Sequence, residues 1–378
     1  MEKSEKNRDK SMRGDGQRQG LARRIVGLAV RYLLPLALTV LLVWYMFRKV
    51  NFTDMMHIIT GGDVAFGWIL LAMGISVLSH IVRAARWRIQ LKALGIKPPF
   101  MALCCSIFGC YALNLVFPRL GEVWRCTYIS GRERAPLTKV LGSMVADRLA
   151  DTVMVLLLTV LTFIVASGAI NSFLARYPVG RDLVALVENP WFWAAVVVGV
   201  SLIVAIFKAW KGNRFISKVR GWAAELWNGF AVIATMPGRG RFLLLTLGIW
   251  GCYYVQLYVA FFAFPFTRDL CAESLLAFGL TPCLVAFVLS SIGMAVPSNG
   301  GLGPWNIAVM FGLAVYGITE AQGTAFSMLQ WSGQTVMLII LGIFTMAYIS
   351  LSSRRGNRSG FESPLSLEES EQKAEVRR

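Results

Sequence analysis

Four arginines and three carboxylates of this sequence stand beside long apolar runs, where an ionised side chain needs a partner or a purpose. Arg83 and Arg86 are three residues apart, a spacing that places both guanidiniums on one face of a helix. Their planar donors match the oxygens of a phosphate. The alternative is an anchor at the end of a span, with Trp87 at the membrane surface. The pair is a candidate site for an anionic head group.

A second candidate combines charged residues with residues that interrupt a helix. Pro118 lacks a backbone donor and Gly121 tolerates a positive φ, so we expect a break whose free backbone groups need a protein-lined or wet cavity. Asn114 precedes the break. Glu122 and Arg125 follow it and are spaced to pair with each other or with the first arginines. A helix cap followed by a loop is the alternative.

The third group is Asp147, Arg148 and Asp151, which we expect to open the next span. Acidic residues at a helix N-terminus are favoured by the helix dipole, and that is the alternative to a binding role. Two carboxylates also suit a divalent metal. No diphosphate-metal pattern, glycine-rich phosphate loop or nucleophile elbow accompanies them. We therefore predict no catalytic residue, no metal site and no cofactor.

A fourth group interrupts a later apolar run. It shares an apolar-apolar-Pro-x-x-Gly frame with the break at Pro118, and its members are Pro297, Asn299, Gly300, Gly301 and Gly303. Interrupted helices at corresponding places of two halves are typical of transporter sites between inverted repeats. Because the match is short, coincidence is the alternative. We predict an inverted repeat, and we expect the charged groups to converge on one hydrated recess open toward the cytosol.

The elements that must position these residues are membrane helices. Hydrophobic residues make up 56% of the 378 residues and charged residues 16%, which indicates the membrane class. We predict an all-α polytopic transmembrane bundle with about eight spans and no separate soluble core. The predicted spans are 26–47, 64–82, 150–170, 190–207, 242–264, 275–296, 304–319 and 326–350. The net charge of +17 is better explained by cytoplasmic loops than by nucleic-acid binding.

One further apolar stretch, 99–118, decides the topology. If it is re-entrant or broken, 33 of the 38 Lys and Arg residues lie on the inner side. If it crosses, only 17 do, so the charge distribution favours re-entry with both termini in the cytoplasm. The alternative is that the chain crosses twice in short segments, the second between Thr138 and Ala150. Two crossings leave the later loops on the same sides of the membrane as re-entry does.

The chain divides into a transmembrane domain and two polar tails. We predict disordered cytoplasmic tails at 1–24 and 352–378 and a transmembrane domain at 25–351, because the tails are rich in charged and small residues. The segment 214–236 has apolar residues on one helical face. It is predicted to lie on the membrane surface or to pack against neighbouring helix ends.

Taken in order, four motifs of this sequence resemble the transmembrane region of the lysylphosphatidylglycerol synthetase family, also called the flippase-like family. The motifs are Arg-x-x-Arg-Trp (83–87), Asn-x-x-x-Pro-x-x-Gly-Glu-x-x-Arg (114–125), Asp-Arg-x-x-Asp (147–151) and Pro-x-x-Gly-Gly-Leu-Gly (297–303). The resemblance covers about 26–350. It implies a helical membrane domain that moves a modified lipid between leaflets.

The resemblance also sets limits on what is carried over. In the aminoacyl-phosphatidylglycerol systems a separate cytoplasmic domain makes the lipid, whereas we expect this chain to be a stand-alone member without that domain, so aminoacyl transfer is not carried over. Family members often carry a Glu after the last Gly of the final motif, where this chain has Pro304, Trp305 and Asn306. A role that depends on a carboxylate there is therefore in doubt.

The sequence favours a flippase-like protein of the cytoplasmic membrane that binds or translocates an anionic phospholipid or glycolipid and is not an enzyme. A lipid-modifying enzyme encoded separately is a candidate partner. The head group would be bound by Arg83, Arg86, Asn114, Glu122, Arg125, Asp147, Arg148, Asp151 and Asn299. The backbone breaks would shape the cavity at Pro118, Gly121, Pro297, Gly300, Gly301 and Gly303. The rivals are a membrane-embedded glycosyl- or phospho-transferase acting on a lipid-linked donor, and a non-catalytic scaffold.

Overall fold

The fold is all-helical over the part of the chain that the computed structural model describes, namely residues 52–61, 63–169, 236–272 and 279–356 with isolated positions between 189 and 201. Ten helices are bounded within these residues. They are α1 Phe52–Thr60, α2 Phe66–Ala93, α3 Phe100–Val116, α4 Leu120–Glu133, α5 Leu137–Val165, α6 Arg239–Phe261, α7 Pro265–Ala272, α8 Leu280–Gly293, α9 Pro304–Ala314 and α10 Glu320–Gly356.

Four of these helices, α2, α5, α6 and α10, are long and apolar enough to cross a membrane. Their side chains combine a buried face with large exposed apolar residues, as expected of helices that contact lipid on one side. The predicted all-α membrane class is confirmed. The predicted span 26–47, nearly all of 190–207 and the surface helix at 214–236 lie outside the described residues.

The predicted count of eight crossings is not confirmed. Helix α8 has 14 residues and α9 has 11, so at 1.5 Å per residue they are only about 21 Å and about 17 Å long. The hydrocarbon core of a bilayer is about 30 Å thick. Neither helix alone is long enough to cross, so crossings by 275–296 and 304–319 are not confirmed, and the two helices pack against each other as a hairpin.

The stretch 99–118 also forms a short helix that is part of a hairpin. Helix α3 ends at Val116, and after a three-residue break α4 begins at Leu120 and packs back against α3. The break falls at Pro118, as predicted from its missing donor. The chain thus contains two short helical hairpins, α3–α4 and α8–α9, set among the long helices.

The breaks of the two hairpins meet each other. The amide N–H of Gly300 donates to the carbonyl of Asn114 at 3.0 Å, and the Asn299 amide donates to the carbonyl of Val116 at 3.0 Å. In the other direction Arg119 donates to the carbonyl of Ala295 at 3.1 Å. Backbone groups that the breaks release are therefore satisfied across the pair of hairpins. The predicted inverted repeat stays a prediction.

The two breaks use glycine for different reasons. At Gly300 φ is +58°, a conformation that glycine adopts without strain. At the first break we expected the positive φ at Gly121, but it falls on Arg119, with a value of +62°. Gly121 is required because a Cβ atom there would collide with the carbonyl group of Cys110, so α4 approaches α3 backbone to backbone.

Gly121→Ala is expected to destabilise the protein by about 1–3 kcal/mol, since the added methyl group meets rigid backbone. Unfolding of the purified protein in mixed micelles, titrated with SDS, measures the loss. Gly142→Ala in α5 is the matched control because a Cβ atom there meets nothing within 4 Å. Equal stabilities of the two variants would contradict this account of the hairpin.

Candidate functional site

Arg83 and Arg86 lie inside the protein and not on its surface. Helix α2 continues to Ala93, and the two side chains are 3% and 0% exposed. A surface anchor would extend its guanidinium to water, so this interpretation does not fit either residue. The helical spacing does place them on one face, as predicted, and that face points into the protein toward α5 and α6.

Two carboxylates of α5 meet these arginines. Arg83 Nη1 lies 2.8 Å from Asp151 Oδ2, and Arg86 Nη2 lies 2.7 Å from Asp147 Oδ1 and 2.8 Å from Asp151 Oδ1. Helix α5 begins at Leu137, ten residues before Asp147. The expectation that the aspartates open a helix is therefore wrong, and the helix dipole does not explain them.

Arg125 of α4 completes the group but is held less tightly. Its guanidinium carbon lies 4.7 Å from the centroid of the Trp87 ring, a cation–π contact. Its Nη2 is 3.7 Å from Asp147 Oδ2, and Nε and Nη2 are buried without a hydrogen-bond partner. Buried guanidinium donors are nearly always satisfied, so these atoms are poised for an acceptor.

We call Arg83, Arg86, Arg125, Asp147 and Asp151 the buried charge cluster. Three guanidiniums face two carboxylates, which leaves one positive charge in a low-dielectric interior. Each member is at most 8% exposed, so the cluster is closed by its own ion pairs and does not line the open recess that we expected. Burial of an unbalanced charge costs several kcal/mol. The arrangement therefore favours binding of a single negative charge.

A more exposed ion pair lies at the edge of the cluster. Arg148 donates to Glu122 in a very short contact, and Arg148 Nη1 is 3.9 Å from Asp151 Oδ2. The Arg148 side chain is 38% exposed. Glu122 thus pairs with Arg148 and not with Arg125 on its own helix. This neutral pair connects the buried charge cluster to the surface of the protein.

The two predicted asparagines bond backbone groups at the two breaks. The side-chain oxygen of Asn114 accepts from the Gly121 N–H at 2.9 Å, while Asn299 bonds the other hairpin. At the second break, Asn306 accepts from the Gly303 N–H at 3.1 Å. These side-chain amides therefore bond the backbone at the breaks. We expected the breaks to shape a cavity, but in the structure they join the two hairpins.

Sequence reasoning missed the partners that α6 supplies. The hydroxyl of Tyr253 accepts from Arg83 Nη2 at 3.0 Å, and Thr246 Oγ1 accepts from Arg86 Nη1 at 3.2 Å. Tyr253 and Thr246 are seven residues apart, so they share a helical face. Two hydroxyl-bearing residues at this spacing in an apolar span are the sequence signal that could have identified these partners. Trp87, which the alternative interpretation as an anchor placed at the membrane surface, is buried and donates to Ser143 at 2.9 Å.

The composition of the cluster suits an anion better than a metal ion. Within the described part of the chain, no group of three or more His, Cys, Asp or Glu residues is placed to hold a metal ion. The two aspartates face guanidiniums, which disfavour a cation by repulsion.

The sequence of the chain agrees with the family that its motifs resemble. The family model described as lysylphosphatidylglycerol synthase TM region matches residues 32–342, which include both hairpins and the whole buried charge cluster. The chain belongs to this family. The predicted resemblance is confirmed. The chain is therefore a membrane protein with the helical domain of this family.

Two curated proteins are similar to this member of the family. The UPF0104 membrane protein MJ1595 of Methanocaldococcus jannaschii is 20% identical over 308 residues, which cover 75% of this chain and 84% of that protein. The glycosyltransferase AglD of Haloferax volcanii is 24% identical over 345 residues, covering 84% of this chain but 54% of AglD. The chain thus spans about half the length of AglD.

The ion pair between Arg86 and Asp147 is expected to be strongly coupled. Each single change to Ala should cost about 3–5 kcal/mol because it removes the closest ion-pair contact of the remaining residue, which is 2.7 Å long and lies inside the protein. The double variant should recover about 2–3 kcal/mol of the summed loss. SDS-titrated unfolding of the four proteins in mixed micelles measures the coupling.

The control cycle uses Arg132 and Glu133, a pair 3.7 Å apart that is 30% and 20% exposed. Its coupling should be below about 1 kcal/mol. Additive losses at Arg86 and Asp147 would show that the buried charges do not depend on each other.

Proposed function

We propose that this protein binds an anionic lipid through the buried charge cluster and carries its head group between the leaflets of the cytoplasmic membrane. The observation that supports this most directly is Arg125, whose Nε and Nη2 donors are buried without an acceptor beside an unbalanced positive charge. A phosphodiester has one negative charge and oxygens that suit a guanidinium. Its binding would neutralise the cluster and satisfy those donors.

The carboxylates have a defined part in this mechanism. Without lipid, Asp147 and Asp151 hold Arg83 and Arg86 in place and reduce their desolvation cost. When a phosphate arrives, its oxygens replace some carboxylate contacts, so the arginines exchange one anion for another. The exchange avoids exposing bare charge to the hydrocarbon, which is the main barrier to moving a head group across a bilayer.

The route by which a head group would enter is suggested by the solvent exposure of the charged side chains, which decreases toward the buried charge cluster. The pair formed by Glu122 and Arg148 is partly exposed and touches Asp151, so a head group meets it before it reaches the interior. Opening this pair would admit the phosphate to Arg125. Both chain termini lie in the cytoplasm in this proposal, as the distribution of basic residues favours. A separately encoded enzyme would supply or consume the lipid.

A second candidate function is the transfer of a sugar or phosphate from a lipid-linked donor. The likeness to AglD favours it, because that protein is named a glycosyltransferase. The alignment covers 54% of AglD, so the named activity belongs to a protein with a large additional part. Within this chain the same arginines would bind the donor phosphate. Turnover of a radiolabelled polyprenyl-phosphate sugar by the purified protein would establish this alternative.

Arg125→Gln is expected to slow transport of an anionic lipid about tenfold to a hundredfold, since one charge-assisted contact contributes about 1.5–3 kcal/mol. Fluorescent phosphatidylglycerol and a fluorescent polyprenyl phosphate in reconstituted vesicles, with a membrane-impermeant quencher, report the rate. Arg125→Lys should retain part of it because the charge remains.

Arg132→Gln is the matched control, because Arg132 lies on the same helix two turns away and is partly exposed. It should transport at the rate of the unchanged protein. Flipping of both probes at the rate of protein-free vesicles, or a rate unaffected by Arg125→Gln, would refute the proposal. Unfolding curves of each variant separate loss of transport from loss of fold.

A further inference from the structure

A second basic region of the protein lies outside the buried charge cluster. A groove of about 380 Å³ runs between α2 and α6 at the start of α3. Its lining consists of two arginines and five apolar residues, namely Ala85, Arg88, Ile89, Phe100, Arg241, Leu244 and Leu245. No acidic side chain is among them. The groove therefore combines positive charge with apolar walls.

The spacing of these residues shows how the groove is built. Ala85, Arg88 and Ile89 occupy one face of α2, and Arg241, Leu244 and Leu245 repeat the same spacing on α6. The two helices pack side by side, with Gly238 next to Ile89. The groove thus lies where α2 approaches its end and α6 begins.

The two arginines have unused donor capacity. Arg88 Nε is buried without a hydrogen-bond partner, and the guanidinium carbon lies 5.7 Å from the centroid of the Phe100 ring. Neither Arg88 nor Arg241 forms an ion pair with another residue in the described part of the chain. The first turn of α6 adds partial positive charge because no side chain caps it.

The apolar wall faces the surroundings of the protein. Leu244 is 68% exposed, and Leu243 and Leu247 beside it are 57% and 59% exposed. Exposed leucines on a membrane span indicate contact with acyl chains. Guanidiniums at the end of the same helices indicate the head-group level. The groove therefore matches a molecule with an anionic head and an apolar tail.

We infer that this groove is a binding site for one anionic phospholipid of the leaflet at the α2–α6 end. Its phosphate lies between Arg88 and Arg241, and an acyl chain follows Ile89, Leu244 and Phe100. The charge distribution of the sequence places this end on the cytoplasmic side. This site is separate from the buried charge cluster and does not depend on the proposed transport.

The test is native mass spectrometry of the full chain released from detergent, with added phosphatidylglycerol or phosphatidylcholine. The unchanged protein should retain phosphatidylglycerol in preference to phosphatidylcholine. Arg88→Gln with Arg241→Gln should lower the affinity for phosphatidylglycerol about tenfold to thirtyfold. Arg88→Lys with Arg241→Lys should keep most of it, because both charges remain near the head group.

The control removes two exposed charges elsewhere, with Lys139→Gln and Arg268→Gln, and should leave the affinity unchanged. Unfolding curves of all variants show that each is folded. Equal retention of the two lipids, an unchanged affinity in the double Gln variant, or displacement by inorganic phosphate alone would overturn the inference. The last result would show that the arginines bind the phosphate alone and that the apolar wall contributes nothing to retention of the lipid.

Discussion

The burial of three guanidiniums with two carboxylates is the interaction on which the rest of the described structure depends. An isolated charge in this environment is costly, so Arg83 and Arg86 require Asp147 and Asp151 at contact distance. That requirement fixes the relative positions of α2 and α5. Tyr253 then ties α6 to the same centre. The helices are held by a polar centre as well as by apolar packing.

The second constraint is the need to satisfy backbone groups where a membrane helix is interrupted. Each break satisfies backbone groups of the other, because Gly300 donates to the carbonyl of Asn114 and Arg119 donates to that of Ala295. Trp331 of α10 adds a bond to the Gly300 carbonyl at 2.9 Å. The two hairpins consequently support each other. Residues far apart in sequence become one structural unit through backbone geometry.

These two constraints connect to function at Arg125. The hairpin α3–α4 carries this residue to the cluster, where it stacks on Trp87 with donors to spare. The excess positive charge thus lies beside the hairpin that is bonded to the second hairpin.

Several predictions from the sequence hold for physical reasons that are local. Hydropathy identified the long helices, since a chain in lipid must satisfy its own backbone donors. Pro118 marked the first break because a proline has no N–H to donate. Three-residue spacing grouped Arg83 with Arg86. The motifs in order gave the family, which the match over residues 32–342 confirms.

Other features depended on how the helices pack. The sequence alone could not show how short α8 and α9 are, because both are apolar helices set in longer apolar runs. It placed Asp147 at a helix start, since nothing local shows that α5 begins ten residues earlier. The partners of Arg83, Arg125 and Glu122 lie on other helices. Composition and spacing therefore determined which residues enter the membrane and where the chain breaks. Only tertiary packing decided which charges meet, because the ion pairs join different helices and their partners cannot be identified from positions in the sequence.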